Sequence, residues 1–211
     1  MGHEFVEMKN TAAAIEAYRR AVDISPRDYR AWYGLGQTYE ILNMQLYALF
    51  YYRKAAALRP YDARMWCPLG ECYLKLNKRR EAIRTYERAF ANYDREGIAT
   101  QRLATLYKED GHFEKAAKCY QRHLELQQQL PSMEGKEDDE EDYDNSLFPP
   151  LDETSAEALL YLAFYYKEHR NFTIARRYAS RLLEYPGPEK EEAKALLREI
   201  RSRIDNDRGR S

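Results

Sequence analysis

The sequence predicts an all-α chain in which antiparallel helix pairs stack into a superhelical solenoid. Three observations carry this. Small and aromatic residues recur every 34 residues: Ala14, Ala48, Ala82 and Ala116; Tyr18, Tyr52, Tyr86 and Tyr120; Phe5, Tyr39, Tyr73 and Tyr107; Gly2, Gly36, Gly70 and Ala104; Met1, Leu35, Leu69 and Leu103. Within each period the apolar residues fall at i, i+3 and i+7, the spacing of one helix stripe. Charged residues make up 33% of the 211, against 9 Gly and 8 Pro, too few turn formers for an all-β chain.

Met1, Gly2 and Phe5 occupy the Leu, Gly and Tyr columns, and Ala14, Tyr18, Ala21 and Pro26 complete a second helix. Residues 1–28 therefore read as a partial repeat lacking the first turn of its first helix. That predicts a piece of a longer array. Residues 29–62 hold the clearest unit, in which Trp32, Leu35, Gly36, Tyr39, Ala48, Tyr52, Ala55 and Pro60 spell the tetratricopeptide pattern W-x2-L-G-x2-Y, A-x3-F, P. The predicted fold class is thus a tetratricopeptide-repeat (TPR) superhelical solenoid. Gly36 and Ala48 are small so that the paired backbones can approach while rings fill the space beside them. Pro60 ends the second helix, since it neither donates a hydrogen bond nor continues the turn.

Residues 63–96 repeat the pattern with Trp66, Leu69, Gly70, Tyr73, Ala82, Tyr86 and Ala89, but put Asp94 in the proline column. Residues 97–130 are a degenerate repeat built on Leu103, Ala104, Tyr107, Ala116 and Tyr120. Residues 131–153 carry ten acids and one base, leaving +8 for the rest of a chain of net charge −1. Such a run cannot bury enough apolar surface to order itself and is expected to be a disordered acidic insertion. Residues 154–187 resume a degenerate repeat with Leu162, Ala163, Tyr166 and Ala175, and Thr154 with Glu157 predicts a capping box. Pro188 and the acids after it start a capping helix over 188–204, with 205–211 as a frayed tail.

The chemistry that is absent narrows the function. Gly34-Leu35-Gly36 lies inside a helix pattern without a strand before it, so no nucleotide loop is expected. Cys67 and Cys72 are five residues apart on one helix and point to different faces, and the four histidines are scattered, so no metal site, cofactor or catalytic residue is expected. Three cysteines without a CxxC fit a reducing compartment. No apolar run approaches the ~18 residues of a span, and the charge is balanced, which predicts neither a membrane nor a nucleic-acid partner. What remains is binding. First helices line the groove of such stacks, and the positions beside the packing stripe are Arg30, Tyr33, Gln37 and Glu40, then Arg64, Cys67, Glu71 and Leu74, then Gln101, Thr105 and Lys108, with His3 ahead of them. Tyr33 offers a rigid aromatic contact, and Glu40 and Glu71 are placed to pair an arginine of a bound peptide.

The strings MGHEFVEMKNTAAAIEAYRRAV, RDYRAWYGLGQTYEIL and GPEKEEAKALLREI are more particular than the repeat columns demand. They resemble the C-terminal repeats of the subunit 8 family of the anaphase-promoting complex, also called cell division cycle protein 23, over about residues 1–126 and 154–204. The resemblance implies a non-catalytic scaffold of a mitotic ubiquitin ligase, working in nucleus and cytoplasm, with the other subunits of that complex as partners. It implies that the groove from Arg30 to Glu71 receives the short basic-aromatic C-box of the coactivators. It also implies homodimers formed through N-terminal repeats that this sequence does not contain. The alternatives are a co-chaperone gripping an acidic C-terminal peptide, for which Tyr33 and Cys67 stand where basic clamp residues are needed, or a scaffold adaptor of another assembly.

Overall fold

The computed structural model describes residues 10–92, 94–127 and 150–208; His3, the truncated first helix and most of the predicted acidic insertion lie outside them. The described residues form helices joined by tight turns and contain no strand. Two compact units divide the chain, Met1–Ala99 and Thr100–Ser211. Unit 1 holds α1 (Thr11–Ile24), α2 (Tyr29–Ile41), α3 (Gln45–Leu58), α4 (Ala63–Lys75) and α5 (Arg79–Ala91). Unit 2 holds most of α6 (Ile98–Glu109), then α7 (Phe113–Leu126), α8 (Glu153–Glu168), α9 (Phe172–Arg181) and α10 (Glu189–Arg208).

The repeat columns are the core. Ala14, Ala48, Ala82 and Ala116 are buried, as are Tyr18, Tyr52, Tyr86 and Tyr120. The glycines act differently from the expected backbone approach. A Cβ on Gly36 would fall 2.6 Å from the ring of Tyr52, and one on Gly70 would fall 2.7 Å from Tyr86. Glycine in this column therefore makes room for the tyrosine of its own repeat, while Gly34 lies against Tyr18 of the repeat before. Each tryptophan ties successive repeats together: Trp32 donates to the Pro26 carbonyl and Trp66 to the Pro60 carbonyl, both at 2.8 Å.

A further column is conformational. Asn43, Asn77, Gly111 and Arg170 all have φ between 56° and 74°. Each stands just past a first helix, where a left-handed residue lets the chain reverse. The next residue's N–H then reaches back to a tyrosine carbonyl: Met44 to Tyr39, Lys78 to Tyr73, His112 to Tyr107 and Asn171 to Tyr166, at 2.8–2.9 Å. Asn and Gly tolerate this conformation; Arg carries a Cβ penalty there without local compensation. Arg170→Gly is expected to stabilise the chain by about 0.5–1 kcal/mol. A rise in the urea midpoint at unchanged slope would show it; an unchanged or lower midpoint would contradict the column.

Two expected boundaries shift. The Thr154–Glu157 capping box does not form, because Asp152 is the N-cap of α8: its carboxylate accepts from the Ser155 N–H at 2.8 Å and from the Thr154 hydroxyl at 2.9 Å. Glu157 instead accepts from the Tyr120 hydroxyl at 3.1 Å. The last helix runs to Arg208 rather than ending near Ile204.

Candidate functional site

A groove of about 1280 Å³ opens on unit 1. Tyr33 of α2 forms part of its wall, with Arg64, Cys67 and Pro68 of α4, and Asp94, Glu96 and Ile98 after α5. Asp28 and Asp62 start the two first helices by accepting from the N–H of Arg30 and Arg64, each at 3.1 Å, which fixes where those helices begin. Pro68 sits inside α4 at the position held by Gly34 one period earlier. It has no N–H to give the Arg64 carbonyl, so the helix is locally one hydrogen bond short beside the groove.

Of the seven expected groove residues the structure brings three, Tyr33, Arg64 and Cys67, to this wall. Arg30 is exposed on α2 with its guanidinium 5.8 Å from the Tyr29 ring, and Gln37 is half-buried; neither lines the groove. Glu40 and Glu71 do not line it either. One oxygen of Glu40 accepts from the Tyr52 hydroxyl at 2.8 Å and the other pairs with Lys75 at 2.6 Å. Glu71 accepts from the Tyr86 hydroxyl at 3.1 Å. The two carboxylates expected to meet a ligand thus serve as acceptors for buried core tyrosines. In unit 2, Thr105 donates to the Gln101 carbonyl and Lys108 pairs with Glu157 at 3.5 Å.

Sequence reasoning missed Asp94 and Glu96. Asp94 was visible only as a gap in the proline column, yet the link it opens supplies the acidic wall. Their charge shows in the groups opposite. Burial first, then Asp94 and Glu96, push the Cys67 thiol up to about 12. Burial first, then Glu40, Cys67 and Glu96, raise the Tyr33 hydroxyl above its ordinary value, with Arg64 opposing. Two of the basic residues along the rim are already engaged. Arg64 forms a two-pronged pair with Asp62, at 3.0 and 2.9 Å, and Arg59 lies 4.7 Å from the Tyr29 ring. A protonated thiol at this depth is no nucleophile at neutral pH. What the groove offers is an aromatic face, apolar contacts at Pro68 and Ile98, and the exposed Glu96 carboxylate, able to meet a cation. Among the described residues, no group of His, Cys, Asp or Glu could hold a metal ion, and no helix is long and apolar enough to cross a membrane.

Three family models match the chain: a TPR repeat over residues 2–42, a tetratricopeptide repeat over 29–62 and 63–92, and a second tetratricopeptide-repeat model over 99–134. Among curated proteins, the chain is 52% identical over 112 residues to "Anaphase-promoting complex subunit 8" of Dictyostelium discoideum. It is 48% identical over 108 residues to the protein of the same name from Arabidopsis thaliana. These matches cover 53% and 51% of the chain but 16% of each relative's length. Among solved structures, it superposes on YrrB, described as a TPR protein with an unusual peptide-binding site, with a TM-score of 0.61 at 16% identity, over 92% of this chain and 88% of that one.

Proposed function

The chain belongs to the tetratricopeptide-repeat family, and from that premise we propose that it is a non-catalytic scaffold segment of an anaphase-promoting-complex subunit, working in nucleus and cytoplasm. Its contribution is to hold neighbouring subunits and to dock a coactivator C-box peptide in the groove of unit 1 during cell-cycle-regulated ubiquitination. The observation that carries the reading is the identity of about half the residues to subunit 8 over 112 positions, which exceeds what packing columns alone require. The groove's chemistry supports the docking half. A basic-aromatic peptide would lay its ring beside Tyr33 and Pro68 and its guanidinium toward Glu96, which is exposed at the rim.

A fluorescent peptide carrying one Arg and one aromatic residue in C-box spacing, titrated against the folded chain, tests this. Binding below about 100 µM is expected, weakened roughly tenfold by Glu96→Lys, since a reversed charge at an exposed ion-pair site changes binding by about 1.4 kcal/mol. Glu96→Lys is more decisive than reversing Glu40 or Glu71, because those two carboxylates also hold core hydroxyls. Binding indifferent to Glu96→Lys, or tighter binding of a peptide ending in EEVD, would overturn the docking half in favour of a co-chaperone.

A further inference from the structure

Because the repeats share one period, each surface position of one repeat has a counterpart in the next, and the counterparts expose an anomaly on α3. Ile41, Met44, Leu46, Tyr47 and Phe50 are matched 34 residues on by Lys75, Lys78, Arg80, Glu81 and Arg84, and 68 on by Glu109, His112, Glu114, Lys115 and Lys118. The later side chains are the solvated outer faces expected of second helices. On α3, the turn before it and the end of α2 the same columns are apolar and remain in water: Leu46 is 67% exposed, Tyr47 53% and Phe50 52%, with Ile41 and Met44 also exposed. A helix apolar on its outward face as well as its inward one is ordinarily a covered helix.

The face is held ready rather than loose. Tyr47 stacks on Tyr39 at 5.3 Å, Tyr39 stacks on Tyr51 at 5.2 Å, and Phe50 meets Tyr51 edge-on at 5.1 Å. Arg19 of α1 donates to the Tyr39 hydroxyl at 3.0 Å and fixes the middle of this ladder. Rings fixed in advance lose little freedom when a partner arrives. Along α3 and the turn before it the charge has one sign. No Asp or Glu occurs from Ile41 to Leu58, while Arg53 and Lys54 are exposed and Lys54 stands 5.8 Å from the Phe50 ring.

We propose that the outward face of α3 is a docking surface for an amphipathic helix of another protein, with apolar side chains at helical spacing and an acidic flank that meets Arg53 and Lys54. A helix suits it because α3 has no free backbone edge for a strand to extend, and its side-chain ridge fits between the ridges of a second helix. Another protein suits it because a second copy of this ridge would bring no carboxylate to Arg53 and Lys54. The surface is separate from the groove, and nothing in this inference depends on the C-box reading.

The test uses the 211-residue chain and two labelled synthetic helices of about 18 residues, identical in a Leu/Phe ridge and flanked either by Glu or by Lys. Fluorescence anisotropy at about 0.1 M salt, where exposed charges still act over ~10 Å, reads both. The Glu-flanked helix is expected to bind at least about tenfold more tightly than the Lys-flanked one. The triple variant Leu46→Arg, Tyr47→Glu, Phe50→Arg carries the residues α5 has in the same columns, so it should remain folded while losing that binding at least about tenfold. Should it unfold, Phe50→Arg alone is expected to give the same loss. Equal affinity for the two helices, binding unchanged in the folded variants, or sedimentation of the wild-type chain as a dimer that these substitutions dissociate would overturn the proposal; the last would assign the face to a second copy.

Discussion

Tyr52→Ala is expected to destabilise the chain by about 3–5 kcal/mol, more than any surface substitution in unit 1. The ring is 1% exposed and lies over Gly36, with Tyr33 tilted against it at a centroid distance of 5.4 Å. Removing it opens a cavity that the flanking helices cannot close without losing their own packing. It also takes the hydroxyl donor from Glu40, leaving that carboxylate to Lys75 alone. Because repeat stacks are stabilised by nearest neighbours, the loss should be shared by α2 to α4 rather than confined to one pair. Tyr52→Phe separates the two contributions: it keeps the ring and deletes the bond to a charged acceptor, for about 1.5–3 kcal/mol. Urea unfolding followed by helical circular dichroism measures both. A Tyr52→Ala loss no larger than that of Tyr52→Phe would mean the ring is not the packing element this fold requires.

The second large effect is a loss of stability in alkali that begins near pH 9, with the thiols, and steepens from pH 10, with the tyrosines. Burial, then Glu40, pushes the Cys72 thiol up to about 12 from 9.0, and Cys67 is raised to a similar value. Burial raises Tyr52 and Tyr120 far above 10.0, and Tyr178 to about 12. These acids ionise at their ordinary values only in the unfolded chain. Above those values the unfolded state binds fewer protons than the folded one, so stability falls as pH rises. Below pH 9 these groups contribute no slope. From pH 9 the two thiols, and from pH 10 the tyrosines, each add up to about 1.4 kcal/mol per pH unit until the folded-state values are reached. Lys75 works in the same direction at higher pH. Its hydrogen bond to Glu40 raises its pKa above 10.5, and the stability this gives is complete below 10.5 and lost as the folded-state value is passed. Thermal midpoints from pH 7 to 11 should stay level and then drop steeply. Cys72→Ala should flatten the first part of the drop, between pH 9 and 10. A midpoint level to pH 11 would contradict the burial of these groups.

The helix pairs were legible because packing obeys the period. Trp32, Leu35 and Tyr39 must share a stripe if α2 is a helix, and the same columns recur wherever a neighbour has to be met. The tyrosine columns therefore reported architecture correctly, although Tyr73 and Tyr166 are only half-buried. The site was half legible. Tyr33, Arg64 and Cys67 lie on regular helices whose faces follow from spacing. Asp94 and Glu96 lie on a link, where no period fixes direction, and spacing gave no reason to aim them at Cys67. Glu40 and Glu71 were placed on the correct helices, but spacing ranks faces and does not show that a tyrosine of the paired helix reaches across to them. The capping box failed for a related reason: Thr154 and Glu157 fit the pattern, but Asp152 is a stronger acceptor two residues earlier. Arg170 could be found only by its column, where Asn43, Asn77 and Gly111 already indicate a left-handed turn.

The central claim, that unit 1 is a peptide-docking scaffold, is tested most directly by mapping a bound C-box-type peptide by NMR on the isotopically labelled chain. The account predicts shifts concentrated at Tyr33, Arg64, Cys67, Glu96 and Ile98, saturating with the peptide and abolished by Glu96→Lys. Saturable shifts that avoid these residues, or none at millimolar peptide, would contradict it.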